Sequence, residues 1–371
     1  MRILFLVASL EPGRDGVGDY TQLLAREAVR QGHEISLIAL QDPYVADPVE
    51  SAECVPLGEI PCLRLPLHLP WVRRIELVRS FRSRYPSDWI SLQFVAYAFH
   101  AKGFVVQVTP RLNEIMDGTP LHLMLHEIWI GTGPFASFRY RVIGKLQRLQ
   151  LKWMIGKLTP QLITVTNPFY QALLNKLGSS AVELPLFGNI PISPVLEPPF
   201  PALFLGLFFG TLHREWEPEP FMRTWIAACA VTGRQPRLIS LGRMGAMGEM
   251  VWRKLQTDYA GWVDFVALGE VPSAVVSSWL QRADFGLAAS PWHLIGKSGS
   301  AIAMLEHGLP VIVTRDEFGP PAGLGNAPDP LLHRCDDQLQ GKLVTGLPRR
   351  APFSRLPGIA SNFIRLLKEA S

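Results

Sequence analysis

The chain has 371 residues, a 48% apolar share and a net charge of +4. Such a length suggests two domains of roughly 150 residues each, and such an apolar share supports ordinary buried cores without disorder. The charge is too mild for a dedicated nucleic-acid binder, and no apolar run reaches the ~18 residues of a membrane-spanning helix.

Residues 1–8 imitate the start of a leader peptide, but the apolar run is short. Glu11, Arg14 and Asp15 follow it without a small-residue cleavage pattern, so it reads as a buried first strand. Strands are then expected at 3–8, 34–39, 89–94, 121–125, 162–165 and 182–184, with helices at 17–31, 72–85, 138–158 and 168–177. Alternating strands and helices predict a parallel sheet covered on both faces. Pro185, Pro191, Pro194, Pro198, Pro199 and Pro201 then interrupt the pattern. Proline continues neither a helix nor a central strand, so this stretch reads as an interdomain linker. Alternation restarts with strands at 203–209, 237–241, 263–267, 285–288 and 310–313 and helices at 220–231, 249–258, 273–282 and 299–307. A last amphipathic helix is expected at 359–369. The expected domains are 1–190 and 191–356, with 357–371 packing back on the first. Cys54, Cys62, Cys229 and Cys335 lack metal or redox spacing. Cys54 and Cys62 either pair or stay reduced, and an intracellular setting favours the reduced form.

Open α/β sheets bind ligands beyond the carboxyl ends of their strands. Two such domains predict a cleft for a phosphorylated ligand. The first turn, Gly13 to Tyr20, carries Gly16 and Gly18 at the start of a helix, where backbone N–H groups favour an anion. The same turn supports a ligand-free tight bend. In the second half, Lys297, Ser298, Gly299 and Ser300 open a helix after a strand. A lysine, two hydroxyls and free helical N–H groups suit a diphosphate. Gly296-Lys297-Ser298 is not a Walker motif, because Pro291 stands where that pattern needs glycine. Glu306, further down the same helix, is a candidate for the hydroxyls of a ribose.

The segment from Ser298 to Ile312 resembles the carboxylate motif of retaining GT-B glycosyltransferases, in particular glycosyltransferase family 4. Glu306 and Gly308-Leu309-Pro310-Val311-Ile312 match its second half. Leu268-Gly269-Glu270-Val271-Pro272, Ala283-Asp284-Phe285-Gly286-Leu287, the turn with Tyr20 and Leu184-Pro185-Leu186-Phe187-Gly188-Asn189-Ile190 extend the likeness over most of the chain. The resemblance implies two Rossmann-like parallel-sheet domains, a nucleotide-diphosphate sugar as co-substrate, and retention of anomeric configuration. It implies an acceptor that is a glycan, a lipid or a small molecule. Three departures stand out. Ser298 replaces the family's first glutamate. Thr211 and Trp216 stand where an arginine and a lysine usually grip the diphosphate. Arg214 and Lys297 are their candidate substitutes. If they do not compensate, the expectation becomes a weak or inactive nucleotide-sugar binder. A sugar-nucleotide epimerase of the same fold is the other alternative.

His126 and Glu127 end an apolar strand, where the resemblance implies a sugar-facing histidine, and are read as catalytic together with Lys297. His122 and His126 lie about 13 Å apart at ~3.3 Å per residue, so one metal ion does not bridge them. Asp19, Tyr20, Gln93, Tyr97 and His100 are candidate acceptor contacts. No Asp-x-Asp occurs, so neither a metal nor another cofactor is expected; cationic side chains and helix dipoles take that role. Arg141, Lys145, Arg148 and Lys152 share one helical face, and Arg73, Arg74, Arg79, Arg82 and Arg84 crowd another helix. They read either as solvated faces or as contacts to anionic lipid at the inner face of a membrane. The expected location is otherwise cytoplasmic.

Overall fold

The computed structural model describes residues 1–133, 136–198, 200–212, 216–316 and 329–371. They divide into one unit of Met1–Pro185 with Leu356–Ser371 and a second of Leu186–Arg355.

In the first unit β1 (Arg2–Val7), α1 (Gly16–Arg30), β2 (Glu34–Asp42), β3 (Val49–Val55), β4 (Gly58–Pro66), α2 (Trp71–Arg84) and β5 (Trp89–Phe94) follow in order. Then come α3 (Ala96–Phe99), α4 (Thr109–Met116), β6 (Leu121–Leu125), α5 (Phe138–Leu158), β7 (Leu162–Val165), α6 (Pro168–Lys176) and β8 (Val182–Glu183). The sheet order is β3-β4-β2-β1-β5-β6-β7-β8, parallel except for β3 against β4. β5 and β6 are buried along their whole length, so their apolar residues do not alternate with exposed ones, and Ser91, Gln93 and His122 are buried with them.

The hairpin β3–β4 has no counterpart among the expected strands. β3 is an edge strand with most of its residues exposed, so it carries no apolar alternation. Pro61, which argues against a strand, sits opposite Ala52 in the antiparallel ladder. In that register Cys62 faces Ser51 and Cys54 faces Glu59, so the two thiols are not opposite each other. All four cysteines are free.

The second unit contains β9 (Leu203–Phe209), α7 (Glu219–Thr232), β10 (Gln235–Leu241), α8 (Gly245–Asp258), β11 (Asp264–Gly269), α9 (Ser273–Arg282) and β12 (Phe285–Pro291). A 3-10 turn (Trp292–Lys297), α10 (Gly299–Glu306), β13 (Val311–Arg315), β14 (Leu332–Arg334) and α11 (Leu339–Thr345) complete it. Its parallel sheet runs β11-β10-β9-β12-β13-β14. One face is filled by aromatic residues, with Phe204, Phe221 and Phe285 each in ring contact with Trp225.

The proline-rich stretch is not a free tether. Ser277 Oγ accepts from Ser193 N–H at 2.9 Å, Ser278 Oγ accepts from Leu196 N–H at 3.0 Å, and Glu197 pairs with Arg282 at 2.9 Å. These contacts lace the stretch to α9 inside the second unit. The last helix, α12 (Leu356–Glu369), belongs to the first unit. It buries Phe363 against Phe5 and His122, at ring distances of 5.7 and 5.2 Å. No described helix is long and apolar enough to cross a membrane.

Candidate functional site

The first unit gathers its polar side chains on a path that ends at the carboxyl edge of the sheet. Thr164 on β7 donates its hydroxyl proton to Met124 Sδ at 2.8 Å, and sulfur of this kind only accepts. Thr164 Oγ1 therefore accepts from His122 Nε2–H at 2.7 Å. His122 Nδ1 accepts from Ser91 Oγ–H at 2.8 Å, and Ser91 Oγ accepts from Gln93 Nε2 at 2.8 Å. Gln93 Oε1 finally accepts from His126 Nε2–H at 2.8 Å. An amide nitrogen at one point and a thioether at the far end leave a single direction for every proton. His126 is therefore held as the Nε2–H tautomer, and its Nδ1 is the acceptor. The chain is buried throughout. Burial pushes the pKa values of His122 and His126 down to about 3, with the neighbouring His126 adding to the shift at His122. Both imidazoles are neutral at neutral pH.

Tyr20 packs edge-on against His126, with ring centroids 4.9 Å apart. Gln93 and Tyr20 thus both build the surroundings of His126. Glu127, next along the chain, is half-buried.

The remaining candidates of this unit have local structural work. Gly16 is exposed at the first position of α1, whose N-cap Asp15 accepts from Val17 N–H. A Cβ at Gly18 would lie 2.5 Å from the Ser9 carbonyl oxygen, so glycine there serves helix-to-strand packing. Asp19 Oδ1 accepts from Gly13 N–H at 2.9 Å and closes the turn. His100 follows directly on α3. Its Nδ1 accepts from Lys102 N–H at 3.2 Å and Phe104 N–H at 3.3 Å. Tyr97 Oη accepts from Gln147 Nε2 at 2.9 Å, and the same amide bonds the Lys102 carbonyl and Ile130 N–H. Sequence reading gave no hint of Gln147 as the hub of this loop, since a glutamine inside a basic helix carries no pattern. It also passed over buried Asp42, which binds Ser9, Leu10 N–H and Arg64. Burial opposes its ionisation, but Arg64 and two backbone N–H groups outweigh this and hold its pKa below the usual carboxylate range.

In the second unit, Gly210 and Gly242 directly follow β9 and β10, and Gly269 ends β11, all three in the left-handed region. Gly210 N–H donates to the Leu241 carbonyl and Gly242 N–H to the Gly269 carbonyl. These turns keep side chains off the strand ends. Beside them starts α10, capped by Ser298 Oγ, which accepts from Ala301 N–H at 3.4 Å. Ser300 Oγ lies 3.3 Å from Ser298 Oγ, and a Cβ at Gly210 would lie 3.8 Å from Ser300 Cβ. Gly299 is exposed. Lys297 closes the 3-10 turn immediately before the helix. The structure thus brings Lys297, Ser298, Gly299, Ser300 and Gly210 to one edge. Arg214 lies outside the described residues. Trp216 is buried, donating Nε1–H to Thr314 Oγ1 at 2.7 Å and packing on Phe208. Its indole fills core volume.

Glu306 is the candidate for the ribose hydroxyls. It is 1% exposed at the last residue of α10. Its Oε1 accepts from Gly188 N–H at 2.9 Å and Arg355 N–H at 3.2 Å. A Cβ at residue 188 would lie 2.9 Å from Oε2, so both carboxylate oxygens abut that glycine. The helix turns this side chain inward, where it braces two loop segments. Burial raises its pKa despite those two N–H groups and the nearby Arg355 and Arg350. A raised acid contributes stability that is present below its unfolded pKa and lost as pH rises through the folded value. Glu306→Ala should therefore cost roughly 1–3 kcal/mol by orphaning two buried N–H groups. Glu306→Gln retains an acceptor without the ionisable group. Its melting temperature relative to wild type should fall on acidification from neutrality, as the wild-type carboxyl recovers its proton. A difference independent of pH would refute the buried-acid reading.

Among the described residues no His, Cys, Asp and Glu cluster is arranged to hold a metal ion.

No protein-family model matches the chain, and no curated protein matches it in sequence. Solved structures match over its whole length. A glycosyltransferase from Rickettsia africae aligns with 100% of this chain and 98% of its own, at TM-score 0.56 and 11% identity. The catalytic domain of Starch Synthase IV from Arabidopsis thaliana, bound to ADP and acarbose, aligns at TM-score 0.55 and 13% identity over 100% and 99% of the two chains. Anabaena Alr3699/HepE, in complex with UDP and glucose, aligns at TM-score 0.53 and 14% identity over 100% and 98%. The chain has the GT-B fold of such glycosyltransferases.

Proposed function

We propose that this protein transfers a glycosyl group from a nucleoside-diphosphate sugar to a hydroxyl-bearing glycan, lipid or small molecule, with retention of configuration and without a metal ion. The observation that carries the reading is the carboxyl edge of the second sheet. There, on a GT-B fold, a capped helix start, two serine hydroxyls and Lys297 meet beside glycine-cleared strand ends. Helix N-termini and a lysine favour a diphosphate, and similarly folded proteins have been solved with ADP and with UDP. Transfer breaks the bond from the sugar's anomeric carbon to the diphosphate oxygen and forms one to the acceptor oxygen. The acceptor proton passes to the departing diphosphate. Lys297, Ser298, Ser300 and the helix N–H groups hold the growing negative charge. On the first unit, neutral His126 accepts a hydroxyl hydrogen at Nδ1 and orients a sugar. Tyr20, packed against His126, and Glu127, Asp19 and Tyr97 remain candidate acceptor contacts. Gly16, at the start of α1, offers a second anion-facing turn.

A second reading is a nucleotide-sugar binder with little turnover. Trp216 favours it, because its buried indole replaces a cationic grip.

UDP, GDP, ADP and TDP, added one at a time, should include at least one that raises the melting temperature, by about 2.7 kcal/mol of stabilisation at ~100 times its Kd. The shift should persist in EDTA. If none of the four shifts the transition, the donor site is refuted; a shift abolished by EDTA and restored by Mn²⁺ or Mg²⁺ would refute metal independence.

A further inference from the structure

The two basic helices read from the sequence part company in the structure. On α2 the arginines are used internally. Arg73 pairs with Glu76, Arg79 with Glu114 and Arg84 with Glu50. Arg74 is buried against three backbone carbonyls, and Arg82 bonds the Ile115 carbonyl and Thr119. The exposed arginines Arg73, Arg79 and Arg84 of that helix are thus each matched by a carboxylate.

α5 is different. Its 21 residues include Arg139, Arg141, Lys145, Arg148, Lys152 and Lys157 and no acidic side chain. Lys145, Arg148 and Lys152 are exposed and have no ion-pair partner among the described residues. The helix is docked by one face. Gly144, Gln147, Leu151, Met154 and Leu158 are buried, and a Cβ at Gly144 would lie 2.0 Å from the Ile130 carbonyl oxygen. The opposite face is apolar rather than polar. Phe138, Val142, Leu146, Leu149 and Trp153 follow at helical spacing, and all are exposed, Phe138 to 83% and Leu149 to 64%. At 100° per residue they form one stripe, with Lys145, Arg148 and Lys152 along its edge. A solvated helix would carry polar residues there. An aromatic and aliphatic stripe bordered by cations instead matches a helix lying in the headgroup region of a bilayer. A second copy of the chain is a poor occupant, because pairing two such faces would bring like charges together.

We infer that α5 docks the first unit onto an anionic lipid bilayer, with Phe138, Leu146 and Leu149 entering the interface and Lys145, Arg148 and Lys152 meeting lipid phosphates. The inference does not rest on sugar transfer. It gains point if the acceptor is a lipid, because the same unit carries His126.

Sedimentation of the full chain with vesicles tests it. The protein should pellet with vesicles of phosphatidylcholine mixed with phosphatidylglycerol and not with phosphatidylcholine alone. Replacing Lys145, Arg148 and Lys152 by glutamine should weaken binding about fivefold for each charge removed. Phe138→Ser with Leu149→Ser should also weaken it several-fold at unchanged charge. All five positions are exposed, so each variant should keep the wild-type melting temperature. Absence of wild-type binding to the mixed vesicles would overturn the proposal. So would binding unaffected by the two serine substitutions, which would mean that no apolar insertion occurs. Self-association in light scattering that the serine variant abolishes, without vesicle binding, would assign the face to a second copy and overturn it equally.

Discussion

Lowering the pH from about 7 to about 5 should remove roughly 2 kcal/mol of folding stability for each of His122 and His126, ~1.4 kcal/mol for every unit below the unfolded pKa. Burial holds both folded pKa values at about 3, against an ordinary 6.5. The unfolded chain therefore binds protons in this range and the folded chain does not. The sign follows: the contribution is complete above 6.5 and is lost as pH falls toward 3. His33, His307 and His333 are also shifted down by burial and add in the same direction. Variants separate the contributions. His122→Gln and His126→Gln should each lower the pH dependence of the urea midpoint by one histidine's share, because glutamine keeps polar atoms but does not titrate. An undiminished slope in both variants would show that the buried chain is not what titrates. The same neutrality means that a pH–rate profile should show no ionisation of His126 near 6.5. A limb there that His126→Gln removes would make it an acid or base instead of a fixed acceptor.

Lys297→Ala should lower kcat by about a hundredfold, the scale for removing one pre-organised charge partner from a developing anion. Negative charge on the diphosphate grows as the glycosidic bond breaks, so the lysine stabilises the transition state more than the bound donor. Nucleotide affinity should change far less than kcat. Steady-state kinetics with calorimetry on the same variant decides this. A loss confined to binding, with kcat preserved, would make Lys297 a ground-state anchor. No change in either would place the diphosphate elsewhere. Trp216→Lys gives the converse test of the departure from the family pattern, but its indole is buried against Phe208, so it also exposes a cavity cost.

Apolar periodicity and the alternation of strand and helix patterns are enough to fix the class of fold and most of its elements. β5, β6, β7 and β9 run where their apolar stretches predict, and α5 and α9 occupy their periodic segments. Such elements are buried on a consistent face, so burial leaves its period in the residue order. β3, β4, α3, α4, α11 and β14 were not legible. They are edge, short or proline-bearing, and their stability comes from neighbours rather than from local pattern. The residues at the site divide the same way. Lys297, Ser298 and Ser300 are adjacent in the chain, and the helix start that unites them is written locally. The path from Thr164 through His122, Ser91 and Gln93 to His126 draws on three strands, and only their parallel register places those atoms in hydrogen-bonding reach. Glu306 shows the limit most clearly. Its position in the helix is a sequence property, but whether its carboxylate meets solvent depends on Gly188 and Arg355, which are remote in the chain. Side-chain direction relative to distant backbone is set by packing, and packing is decided only when the whole unit has folded.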